Sequence, residues 1–208
     1  DEDGSITVMV KYAEMGQGIT TALLQLVAEE LEVPVERLRY EFAPAHPAYG
    51  MMVTGGSATI SSSFEPLRRA AATARVMLEQ AAAQQWGVAV AECRAENHRI
   101  VHGPSGRSAD FADVVATAAT LAVPPVDQLQ LKTPDEFRYI GKELQSVDLP
   151  DIVQGKAKYG ADIVLPGMKY AAIARPPVVL GKVKSFNADK AMAVPGVEQV
   201  VELPAVEP

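Results

Sequence analysis

Glu14-Met15-Gly16-Gln17-Gly18 stands between a strand-like run and a helix-like run, and the reading of the fold starts there. Upstream, Ile6, Val8 and Val10 alternate with Ser5, Thr7 and Met9, the period of a strand with one buried face. Downstream, Leu23, Leu24, Val27, Ala28 and Leu31 fall on one face of a helix predicted over Thr20 to Leu31, with Pro34 closing it. Leu38, Tyr40 and Phe42 then alternate with Arg37, Arg39 and Glu41 as a second strand. Strand, turn, helix, strand is a βαβ-like unit whose strand direction the sequence leaves open.

A second glycine turn, Thr54-Gly55-Gly56-Ser57-Ala58-Thr59, has the same position before a helix. A turn that opens a helix offers unpaired N–H groups, and the helix dipole favours an anion there. Gln17, Thr54, Ser57 and Thr59 add uncharged donors and acceptors. Two readings are open: a cradle for a polar, phosphate-bearing ligand, or two plain helix-opening turns. Neither turn has the Gly-Lys-Ser/Thr of a P-loop or the glycine spacing of a dinucleotide fingerprint.

The second helix is predicted from a capping box at Ser62 and Glu65 to about Trp86, its face carried by Leu67, Ala71, Ala74, Leu78 and Ala81, with Gly87 ending it. Cys93 to Val101 reads as a hairpin turning at Glu96-Asn97-His98. Ser108 is the expected N-cap of a third helix with Phe111, Val114, Val115 and Ala118 on its face. From Pro124 to about 160 periodicity fades, and an extended connector with a boundary near 150 is expected. Beyond it, strands are expected over 168–174, 181–186 and 197–203, with a short helix at 188–193 capped by Asn187; these are too few to close a core alone.

Composition limits the function classes. The chain has 208 residues, 48% hydrophobic and 22% charged, so a packed core is expected. A net charge of −7 without a Lys/Arg run argues against a nucleic-acid partner. One cysteine, Cys93, excludes an internal disulfide and a cysteine-held iron–sulfur centre within these residues. No apolar run reaches transmembrane length, and the opening Asp1-Glu2-Asp3-Gly4 is no signal peptide. His46, His98 and His102 are read as solvated loop residues without metal-ligand spacing, and Cys93 as an inert buried thiol. Glu29-Glu30 and Arg68-Arg69 are read as solvated helix faces, and Glu14 as a carboxylate meeting backbone N–H groups. No catalytic set or metal-ligand set is visible.

Several stretches together carry a family likeness: Asp3-Gly4-Ser5-Ile6-Thr7-Val8, Glu14 to Leu23, Ala28-Glu29-Glu30-Leu31, Thr54-Gly55-Gly56-Ser57, Glu65-Pro66-Leu67-Arg68-Arg69-Ala70, Phe137-Arg138-Tyr139-Ile140-Gly141-Lys142 and Leu165-Pro166-Gly167-Met168. The sequence resembles the molybdenum-binding large subunit of the xanthine dehydrogenase/aldehyde oxidase family. The nearest branch holds the isoquinoline 1-oxidoreductase beta subunit and the membrane-associated aldehyde dehydrogenases. The resemblance implies an α+β fold: part of a mixed α/β molybdopterin-binding domain over 1–123, a connector over 124–154, and the start of an α/β hammerhead domain over 155–208.

It further implies that Met15, Gly16, Gln17 and Gly18 contact molybdopterin cytosine dinucleotide, and that Thr54, Gly55, Gly56, Ser57, Ala58 and Thr59 line the cofactor and the substrate pocket. The implied activity is oxidation of aldehydes or hydroxylation of N-heterocycles with water-derived oxygen. The implied partners are the remainder of the large subunit, an iron–sulfur small subunit and a cytochrome subunit, in the periplasm. The loop Gly50-Met51-Met52-Val53 is shorter than the family's, and the family's catalytic glutamate has no match here. The chain is therefore expected to be a fragment without catalysis of its own. The competing expectation is a subunit-contact module of the same fold that binds no cofactor.

Overall fold

The computed structural model describes residues 3–179 and 181–204 and divides the chain into two units, 1–163 and 164–208. In the first unit, β1 (Ile6–Val10) pairs in parallel with β2 (Leu38–Phe42), from Ile6 opposite Leu38 to Val10 opposite Phe42. The crossover between them is α1 (Ile19–Leu31), so the predicted unit is βαβ with its strand direction now fixed. Leu23, Leu24, Val27, Ala28 and Leu31 are all buried, as their spacing required. The helix stops three residues before Pro34, at a left-handed Glu32 (φ 58°) whose N–H donates to Ala28.

α2 (Ala58–Trp86) lies along α1. Its buried face is small: Ala71, Ala72, Ala81, Ala82 and Ala83 with Leu78. Small side chains let the two helix backbones approach, which is how so long a helix seats on a short crossover. Ala74 is exposed, so it lies off the face predicted for it. The start also differs from the capping-box expectation. α2 opens at Ala58 behind the N-cap Ser57, five residues before the expected N-cap Ser62. Ser62 is inside the helix; its hydroxyl donates to the Ala58 carbonyl (2.7 Å) and meets the Tyr12 hydroxyl (2.9 Å). Glu65 pairs with Arg69 instead of reaching back to Ser62.

The hairpin forms as β3 (Cys93–Glu96) and β4 (Arg99–His102), closed by Asn97 and His98 at φ 48° and 69°. Two successive left-handed residues give the turn that matches strand twist. A third strand, β5 (Ser108–Asp110), continues the antiparallel sheet. Ser108 therefore belongs to a strand, and Asp110 caps α3 (Phe111–Ala118), its N–H donating to Asp113 at 2.9 Å. His102 is buried on β4 between Ser105 and Glu92, and His98 meets the Gly4 carbonyl and the Phe111 ring; only His46 keeps the exposed loop setting expected of all three. Cys93 is buried as expected, and burial pushes its thiol pKa up.

The stretch expected as an extended connector is packed in part. Tyr139, Ile140, Leu144 and Val147 join the core of the first unit, α4 (Leu149–Val153) follows, and the unit closes at 163 instead of near 150. In the second unit, α5 (Asp189–Met192) forms where predicted, with Asn187 accepting from Asp189 N–H at 2.7 Å. The three predicted strands do not form among the described residues, and Tyr170, Ile173, Val183, Phe186, Val201 and Leu203 stand exposed. A segment of this size holds too little apolar surface to offset the ordering of a sheet.

Candidate functional site

The first glycine turn is closed by its own acid. Glu14 Oε1 accepts from Gly16 N–H (2.8 Å) and Gly18 N–H (3.0 Å), and Oε2 accepts from Thr20 N–H (3.2 Å). Burial alone raises the Glu14 pKa, but these backbone donors outweigh it and hold the carboxyl below its ordinary value. Gln17 stitches the same turn: Oε1 accepts from Met15 N–H (2.6 Å) and Nε2 donates to Ala13 O (2.8 Å). The anion position at the start of α1 is thus filled from within the chain, as read for Glu14. The N–H groups of Gly16 and Gly18 are not open to a ligand. What this turn presents outward is exposed Met15, Gly16 and the second amide hydrogen of Gln17.

The second turn is joined to the first and is open. Ala13 N–H donates to Thr54 Oγ1 at 2.8 Å, and Lys11 Nζ donates to Tyr49 O at 3.2 Å, so the two turns are neighbours. Gly55 O takes Ala58 N–H at 3.2 Å. The N–H groups of Gly55, Gly56 and Ser57 have no partner among the described residues. Gly56 and Ser57 are both left-handed (φ 61° and 55°), which turns successive N–H groups toward one side, a concavity suited to an anion. A Cβ built on Gly55 or Gly56 meets nothing within 4 Å, so that side is open. Gly55 to Ala58 are exposed, whereas Thr59 is buried and does not line the opening. Residues 43–64 contain no Asp, Glu, Lys or Arg, so the donors there are neutral.

Of the four residues read as solvated charges, three are buried. Glu29 and Glu30 are 0% exposed. Glu29 accepts from three successive backbone N–H groups, Arg138, Tyr139 and Ile140 (2.7–3.0 Å to the nearer oxygen), and from Lys132 Nζ (2.9 Å). Burial raises its pKa, and these donors more than reverse that. Glu30 takes Arg68 through Nε (2.8 Å) and Nη2 (2.5 Å), with Arg68 itself buried against Phe64 and Phe137. Arg69 is half-buried against Glu65. The sequence carried a signal for this: Ala22 to Leu31 is apolar over more than one stripe, and a helix without a polar face is buried all round.

These carboxylates anchor a strap that runs antiparallel to α1. Lys132 sits at Glu29 and Glu30, the carbonyls of Tyr139 and Lys142 at Gln25, Val147 at Thr21, and Asp148 at Thr20. The strap ends beside the first glycine turn. There Asp148 accepts from the Thr20 hydroxyl and, at 2.5 Å, from the Tyr40 hydroxyl. Among the described residues no group of three or more His, Cys, Asp and Glu side chains could hold a metal ion, and no helix is long and apolar enough to cross a membrane.

Residues 1–161 match the family described as molybdopterin cofactor-binding domain. Over 97% of its length the chain is 31% identical to the beta subunit of isoquinoline 1-oxidoreductase from Brevundimonas diminuta, and over 93% it is 34% identical to a membrane-bound aldehyde dehydrogenase (pyrroloquinoline-quinone) of Gluconacetobacter polyoxogenes. It is 30% identical over 99% of its length to a nicotinate dehydrogenase subunit of Pseudomonas putida KT2440. The chain spans 31%, 26% and 17% of those three relatives.

Proposed function

This chain belongs to the family of molybdopterin cofactor-binding domains, and from that premise we propose that its two glycine turns form one wall of the cofactor site of a larger molybdenum hydroxylase. The observation that carries this reading is the row of N–H groups at Gly55, Gly56 and Ser57 without a partner among the described residues, at the start of a 29-residue helix and beside the closed first turn. Backbone donors at a helix start suit a pterin and its phosphates, since aligned N–H groups and the helix dipole favour an anion there. Gly55, Gly56, Ser57 and Thr54 would hold the group by main chain and hydroxyl; Met15 and Gln17 would meet it by side chain; Gly16, Gly18 and Ala58 give clearance, and Thr59 acts from behind. The cofactor, read as the cytosine dinucleotide form, supplies the oxidation chemistry when bound: water-derived oxygen goes to an aldehyde or N-heterocycle and two electrons leave.

In the same reading, the second unit, from 164 onward, begins a hammerhead domain, and the remainder of the large subunit completes the site. An iron–sulfur small subunit receives the electrons and passes them to a cytochrome subunit, and the assembly is periplasmic. The test is molybdenum and extractable pterin per mole of the full-length enzyme carrying Gly56→Val. A fall to about a tenth of wild type is expected, since the side chain would enter the open face. Full content in the folded variant would refute the assignment. Quinone analysis of the same sample addresses the pyrroloquinoline-quinone in the name of the aldehyde dehydrogenase relative.

A further inference from the structure

Glu14 shapes the first turn, and one residue over a hundred positions away controls what Glu14 can accept. Thr20 has a single hydroxyl hydrogen and two carboxylates within reach. Its Oγ1 lies 3.3 Å from Glu14 Oε2 and in far closer contact with Asp148 Oδ2. Asp148 therefore takes that hydrogen. Glu14 is left to the backbone donors of Gly16, Gly18 and Thr20, which set the turn. The other Asp148 oxygen accepts from Tyr40 on β2, so the carboxylate is fixed from helix and sheet together. Its own approach is set by the strap, which is pinned to α1 at Glu29, Gln25 and Thr21 before it arrives.

We propose that Asp148 is a positioning residue for the cofactor wall: by holding the Thr20 and Tyr40 hydroxyls it keeps Glu14 on the backbone of the first turn, and so keeps that turn, tied to Thr54 through Ala13, in place beside the open second turn. This rests on the cofactor reading given above. The surroundings separate positioning from stability. Asp148, Glu14 and Tyr40 line a cavity of about 280 Å³ shared with Lys156 and Lys158. Water can enter such a polar cavity when the carboxylate is removed, so the packed core is not opened by its loss.

The experiment compares full-length enzymes carrying Asp148→Ala, Asp148→Asn, Thr20→Val and the Thr20→Val/Asp148→Ala pair, with Gly56→Val as reference. Molybdenum and pterin per mole are read beside Tm. For Asp148→Ala the cofactor content is expected to fall about tenfold, as for loss of an outer-shell partner, with Tm within about 3 °C of wild type. Asp148→Asn keeps one acceptor and is expected to recover at least half of the lost content; Thr20→Val removes the hydroxyl that competes for Glu14 and is expected to keep content near wild type, and the pair is expected to recover part of what Asp148→Ala loses. Undiminished content in Asp148→Ala, or content that falls only in step with Tm, would overturn the proposal. Should Asp148→Ala fail to fold, a content lowered about tenfold in Thr20→Val, which leaves Glu14 no competing hydroxyl, overturns it equally. If Gly56→Val loses cofactor and Asp148→Ala does not, only the positioning role fails; if neither loses it, the cofactor reading fails as well.

Discussion

The two glycine turns are alike in sequence position and opposite in chemistry. The turn at the start of α1 carries an acid two residues before its first glycine, and Glu14 folds back onto Gly16, Gly18 and Thr20. At the start of α2 no acid among the described residues bonds the turn, and the N–H groups of Gly55, Gly56 and Ser57 have no partner among them. A helix start is an anion site by physics, and whether it serves a ligand depends on whether the chain supplies its own anion first. In the proposed reading the first turn is a buttress and the second is the binding surface.

The largest test of this contrast removes the scaffold under both turns. Glu30→Ala leaves buried Arg68 without its carboxylate, and a cost of about 3–5 kcal/mol is expected in urea unfolding of this chain, since a lone buried charge is left behind. A loss under about 1 kcal/mol would mean the pair is solvated after all. Next, Glu14→Ala converts the closed turn into an open one. The expected cost is about 1–2 kcal/mol, reduced by the partial exposure of the site, and the Gly16 and Gly18 amides should exchange faster in the variant. Unchanged exchange would show that Glu14 does not hold them.

Acid sharpens the same point. Glu14 and Glu29 both have pKa values held below the ordinary glutamate range by backbone donors. Their stabilisation is complete above the unfolded value of about 4.3 and is lost as pH falls through their lower folded values. Glu79 works the other way: burial raises its pKa, so its ionisation costs stability as pH rises from about 4.3 through its folded value. The difference in unfolding free energy between wild type and Glu29→Gln is therefore expected to be steady from about pH 5 to 7 and to shrink below about pH 4. A difference that does not change with pH would contradict the assignment. The smallest effect is Ser57→Gly, which relieves a left-handed non-glycine residue; a gain of about 1 kcal/mol in stability is expected, and a loss would show that the Ser57 side chain holds the turn.

Much of the first unit was legible because its apolar periods are clean. Ile6, Val8 and Val10, then Leu23 to Leu31, then Leu38 to Phe42 gave β1, α1 and β2 with boundaries within one residue. The α2 start was misread because Ser62 and Glu65 have capping-box spacing, while the left-handed Gly56-Ser57 pair had already turned the chain into the helix. The strap was invisible to periodicity. Its contacts are backbone N–H groups meeting two carboxylates a hundred positions earlier, and no local pattern encodes that. For the site, the sequence pointed to both turns and read Glu14 as meeting backbone N–H groups; which N–H groups it fills, Gly16, Gly18 and Thr20, came only from where its side chain went. The tail kept strand-like patterns without forming strands among the described residues, because strand propensity acts only where a neighbouring edge and a core exist.

The most direct measurement is amide hydrogen exchange on the full-length enzyme, with and without its cofactor, resolved at residues 14–20 and 54–60. The account predicts that Gly55, Gly56 and Ser57 gain protection only when cofactor is bound, while Gly16 and Gly18 are equally protected in both states. Protection gained at Gly16 and Gly18, with none at 55–57, would contradict it.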